Sequence, residues 1–82
     1  MKGHVKVVGT NNGSRRLENA SGPGTLTHIA KRIYYLEFQN ETFYVDMVEF
    51  LILEEFIEFS AWIGSHHSDG GKIAVQFTPS ND

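Results

Sequence analysis

The chain has no cysteine, only two prolines, and a single cation in its second half. Without cysteine there is neither a disulfide framework nor a thiolate metal site, so nothing in the composition points to secretion. No apolar run approaches the ~20 residues that a membrane-spanning helix needs, and the N-terminus lacks the apolar core of a signal segment. These absences lead to the expectation of a cytoplasmic, soluble protein with no membrane contact. What is present is enough for one core: 82 residues, 40% of them hydrophobic, with six Phe, three Tyr and one Trp. That describes a single small domain over 1–82, near the size at which one core gives marginal stability.

The missing cations of the second half are the visible side of a split. Residues 1–35 hold Lys2, Lys6, Arg15, Arg16, Lys31 and Arg32 against the single acid Glu18, a net of +5. Residues 36–82 hold nine acids against Lys72 alone, a net of −8. The whole-chain value of −3 conceals this. Such an asymmetry speaks to partners and association: one half can meet anions, the other cations, and either the opposite half of a second copy.

Residues 4–8 alternate as a short strand. Residues 9–24 are rich in Gly, Asn and Ser, carry only Leu17 and Ala20 as apolar residues, and predict a long flexible loop. A hairpin centred on Asn40-Glu41 follows, with Phe38 opposite Phe43, Leu36 opposite Val45 and Tyr34 opposite Met47. Its other face then holds Glu37, Gln39, Thr42, Tyr35, Tyr44 and Asp46. Asn-Glu is not a favoured two-residue turn, which points to a four-residue loop.

Over residues 47–63, Asp46 and Glu49 at capping-box spacing and Gly64 beyond the end predict a helix. Its polar face would carry Leu51, Glu54, Glu55, Glu58 and Trp62, leaving an apolar arc too wide for one sheet to cover. The rival reading is a strand over 55–63, with Ile57, Phe59, Ala61 and Ile63 alternating with Glu58, Ser60 and Trp62. Residues 64–71 make a polar turn, Lys72 to Thr78 a strand with Ile73, Val75 and Phe77 on one face, and residues 79–82 a frayed tail. The expected fold is α+β: a small antiparallel sheet of about four strands, β-loop-β-β-α-β, with one helix packed on its apolar face.

No motif carries catalysis. Gly70-Gly71-Lys72 lacks the hydroxyl residue and the strand-loop-helix context of a phosphate loop. His66, His67 and Asp69, with His4 or His28, are metal-ligand types, but adjacent histidines in a turn do not converge on one ion. Ser65 and Ser68 beside them have neither an oriented base nor an oxyanion hole. Neither an enzyme nor a cofactor is expected.

Two binding readings remain. Lys31-Arg32 leads into Tyr34, Tyr35 and Phe38, so nucleic acid could be met by a basic patch of Lys6, Arg15, Arg16, Lys31 and Arg32, with Lys2 beside them. The register leaves only Tyr35 outward, however, and the pI near 5.7 is acidic. The other reading takes Leu51 and Trp62, rimmed by Glu54, Glu55 and Glu58, as a partner-binding patch, because Trp is enriched where binding energy concentrates. In size and acidity the chain resembles the small phage-encoded proteins that inhibit host enzymes or defence complexes, anti-CRISPR-like proteins among them. That resemblance implies a non-enzymatic protein-binding inhibitor. The wide apolar arc and the complementary charge halves add the expectation of a symmetric homodimer.

Overall fold

Val5 and Val7, Leu36 and Phe38, Phe43 and Val45, Phe59 and Ala61, and Ile73, Val75 and Phe77 are spaced two apart, and all are buried. That period puts each set on one face of a strand. The computed structural model describes residues 1–46, 51–52, 55–63 and 71–80. Its strands are β1 (Lys2–Thr10), β2 (Ser21–Ala30), β3 (Ile33–Phe38), β4 (Glu41–Asp46), β5 (Leu51–Ile52), β6 (Ile57–Ile63) and β7 (Lys72–Pro79). They follow the order β4-β3-β2-β1-β7-β6, every pair is antiparallel, and β6 pairs back onto β4. The result is a closed six-stranded up-and-down barrel whose first and last strands are neighbours. Closure removes most of the edge a small open sheet would expose. The two-residue β5 adds to β6 beyond the end of β4.

The expected α+β fold is therefore corrected to an all-β barrel. Where the helix was expected, Leu51–Ile52 and Ile57–Ile63 are strands, and Glu55 and Phe56 precede β6 without helical structure; residues 47–50 and 53–54, with Glu49 and Glu54, and the cap Gly64 lie outside the described residues. The strand alternative over 55–63 holds for 57–63: Phe59 and Ala61 are buried, while Glu58, Ser60 and Trp62 are partly exposed. Physically, β6 is covered on its apolar side by the barrel interior and paired along both edges, by β7 and by β4 with β5. A lone helix would have left that apolar arc uncovered.

The hairpin keeps its faces and changes its register. Leu36 lies opposite Phe43 and Tyr34 opposite Val45, so the turn is the two residues Gln39 and Asn40, not a four-residue loop around Asn40-Glu41. Both turn residues have positive φ, 52° and 62°, the twist that two-residue hairpin turns require. The shift is two residues, one full side-chain period, so inward residues stay inward.

β2 has no counterpart in the sequence reading, because its inward positions include glycines. Gly24 faces Val5 so closely that a Cβ there would lie 2.4 Å from a Val5 methyl. On that strand Leu26 is the one buried hydrophobic side chain.

The segment over 9–24, expected as a flexible loop, holds regular structure. Its ends belong to β1 and β2, and Asn12–Leu17 forms two 3-10 turns kinked at Ser14. Leu17 enters the core cluster, at 1% exposed. Ser14 is fully buried; its Oγ donates to the Lys72 carbonyl at 2.6 Å and accepts from the Asn11 N–H at 3.1 Å. Asn11 Oδ1 in turn accepts from Gly13 N–H and Lys72 N–H, both at 3.1 Å. Arg16 reaches Glu41 with two parallel bonds of 2.5 and 2.6 Å, tying the segment to the β3–β4 turn. This hydrogen bonding raises the Arg16 pKa further above its ordinary value. Ser14→Ala is expected to cost about 1–3 kcal/mol, the cost of losing part-buried hydrogen bonds from a buried hydroxyl; a urea midpoint measurement checks it. The tail is shorter than expected: β7 includes Pro79, and Ser80 N–H donates to the Lys2 carbonyl at 2.9 Å. Residues 81–82 lie outside the described residues.

Candidate functional site

Alternation puts Tyr35 of β3, Tyr44 of β4 and Trp62 of β6 on the outside of the barrel, and the pairing brings them into one row. Thr27 is opposite Tyr35, Tyr35 opposite Tyr44, Tyr44 opposite Trp62, and Trp62 opposite Lys72. Each of the three aromatics is partly exposed. Tyr44 and Trp62 meet edge to face, with centroids 6.3 Å apart and planes at 62°. Lys72 Nζ lies 5.6 Å from the centre of the Trp62 ring system, within cation–π range. An edge-to-face pair held by two strands is preorganised, so little side-chain freedom is left to lose on contact with a partner.

Of the expected partner-binding residues, Trp62 and Glu58 share the outer face of β6. Glu58 accepts a hydrogen bond from the Gln76 amide at 3.0 Å. Glu55 is exposed before β6 begins, and Leu51 starts β5 opposite Glu58. Glu54 lies outside the described residues. The helical surface expected to unite all five does not exist. Tyr35, Tyr44 and Lys72 take the place of Leu51 beside Trp62. The hairpin pattern already turned Tyr35 and Tyr44 outward; what no local signal gave was the β4–β6 pairing that sets them beside Trp62.

The expected anion-binding set is dispersed. Lys6 lies on the outer wall of β1, Arg15 and Arg16 on the 3-10 segment at one end, and Lys31 and Arg32 in the β2–β3 turn at the other. Arg16 is already paired with Glu41. Among the described residues no three His, Asp or Glu are grouped to hold a metal ion. His4 sits on β1 and His28 on β2, while Ser65, His66, His67, Ser68 and Asp69 lie outside the described residues. Among the described residues, too, no helix is long and apolar enough to cross a membrane.

Part of the charge split along the chain becomes a split across the barrel. In the cyclic strand order β1 lies across from β4 and β2 across from β6. Exposed Lys2 and Lys6 are on the β1 wall, while Glu37, Glu41 and Glu58 belong to the β3–β4–β6 wall that carries the aromatic row. Contact between unlike charges of two copies would then run head to tail, whereas a two-fold contact sets like wall on like wall. The apolar arc that supported a homodimer lies partly inside the barrel, as Phe59 and Ala61. No family model, curated protein or solved structure matches this chain.

Proposed function

We propose that this chain is a non-enzymatic protein-binding domain that docks through the row Tyr35–Tyr44–Trp62–Lys72 and acts by covering a surface of its partner, in the manner of a small phage-type inhibitor. The observation that carries the reading is the aromatic row itself, unbroken across three strands on the outside of a barrel whose core is already filled. Tyr and Trp are enriched at interface centres, because they bring large contact area with few rotatable bonds. Glu37, on the same face of β3 as Tyr35, and Glu58, on the same face of β6 as Trp62, give the surround an acidic character. A partner with a basic rim around an apolar pocket fits this face, and the acids would set encounter rate and orientation more than affinity.

Photo-crosslinking tests it. A benzophenone side chain at Tyr44 is expected to yield an adduct with the partner that excess unlabelled protein suppresses and excess Trp62→Ala protein does not. The same group at His4, on the opposite wall, is expected to yield none. Equal adducts from both positions, or adducts from His4 alone, would place the docking face elsewhere. A second copy of the chain is one protein that could occupy this face, and sedimentation equilibrium at high micromolar concentration reads that directly.

A further inference from the structure

The β2–β3 hairpin projects from the barrel as a basic tip. β1 pairs with β2 only as far as Lys2 opposite Thr25, and Met1 extends the ladder by one residue, exchanging backbone hydrogen bonds with Leu26 at 2.7 and 2.8 Å. Beyond that, Thr27 to Ala30 have β3 on one side and no described strand on the other. All four are exposed, as are Lys31 and Arg32 in the two-residue turn. The ladder is irregular between His28 and Ala30, and Ile29 there is 52% exposed. A bulge of this kind blunts an edge against pairing with another strand, which makes the tip a poor site for strand addition.

The chemistry gathered at this end is cationic and aromatic together. The Met1 ammonium is anchored on the Leu26 carbonyl, Lys2 follows it, and His28, Lys31 and Arg32 occupy the tip. The His28 ring stacks on Tyr34 with centroids 4.6 Å apart and planes within 20°. His28 is exposed, so a flat ring surface lies beside the Lys31-Arg32 turn. Among the described residues the acid nearest in register is Asp46, opposite Ile33.

We propose that this hairpin tip binds single-stranded nucleic acid, with a base stacked on His28 and the phosphates held by Lys31 and Arg32. Stacking on an aromatic ring beside cations is how unpaired strands are held without sequence readout. The site is separate from the aromatic row and does not depend on it.

The test is fluorescence anisotropy with a short labelled oligo(dT) strand. Two phosphate contacts at ~0.7 each give a log–log salt slope of about −1.4, so affinity is expected to fall roughly 7-fold between ~50 and ~200 mM salt. Lys31→Gln with Arg32→Asn is expected to weaken low-salt binding about tenfold or more. Asn is chosen because Arg32 has φ +76°, which Asn tolerates. His28→Ala is expected to weaken it severalfold, with an unchanged near-ultraviolet spectrum reporting an intact fold. Arg15→Gln at the far end and Trp62→Ala are expected to leave it unchanged. No binding at low salt, binding indifferent to the Lys31–Arg32 change, or a duplex bound as tightly as the single strand would each overturn the proposal. So would binding to phosphatidylserine vesicles with none to the oligonucleotide.

Discussion

Phe77→Ala is expected to bring the domain to the edge of unfolding. Phe77 is fully buried in the barrel interior, with its ring 6.5 Å from that of Phe59. It fills the space beside Gly3, where even a Cβ would come within 2.7 Å of the ring. Truncating a buried Phe costs about 3–5 kcal/mol, the transfer energy plus the cavity left behind. A domain of this size commands roughly 4–12 kcal/mol in total. Urea denaturation is expected to show either a midpoint collapsed toward zero or no folded baseline, with Phe77→Leu much milder. A loss below ~1 kcal/mol would mean that Phe77 does not fill a closed barrel.

Trp62→Ala is expected to have the opposite signature: a large loss of affinity and a small loss of stability. Trp62 faces outward on β6 and is partly exposed; its edge contact with Tyr44 and the Lys72 cation together contribute about 1–2 kcal/mol. At a docking centre the same truncation removes ~2 kcal/mol or more of binding, about 30-fold in Kd. Adding Tyr44→Ala is expected to give less than the product of the two single effects, because the rings touch and share one partner pocket. Calorimetric titration of the purified partner, alongside urea melts, separates the two quantities. A Trp62→Ala protein that is strongly destabilised yet binds with unchanged affinity would make this row ordinary packing. Glu58→Lys is expected chiefly to slow association with a basic partner and reverse its salt dependence.

The comparison of sequence with structure shows which kinds of information are local. Inward and outward faces were legible wherever large residues alternate: Ile73, Val75 and Phe77 in β7, and Leu36, Phe38, Phe43 and Val45 in the hairpin. Register was not, because a slip of two residues leaves every face unchanged and only the turn residues decide it. Gln39 and Asn40 both adopt positive φ without a glycine, so the turn carries no Asn-Gly signature. β2 was illegible because glycines hold its inward positions 22 and 24, and at Gly24 a side chain would strike Val5. The segment over 9–24 looked unanchored because its one large apolar residue, Leu17, and its buried Ser14 make contacts with distant strands.

The helix reading failed for a related reason. A segment with so wide an apolar arc offers helix and strand patterns at once, and the tie is broken by partners far along the chain. β6 finds β4 on one edge and β7 on the other. The candidate site inherits the same limit: Trp62, Tyr35 and Tyr44 were each visible as outward residues, and only closure makes them a row.

That closure is the central claim, and its thinnest seam is β4–β6, where three residue pairs join the strands. Nuclear Overhauser spectroscopy across this seam tests it most directly. The barrel predicts backbone cross-peaks for Phe43–Ile63, Tyr44–Trp62 and Val45–Ala61, with extended-strand couplings over residues 57–63. Sequential amide–amide cross-peaks of a helix over 57–63, with none between residues 44 and 62, would contradict both the barrel and the docking face built on it.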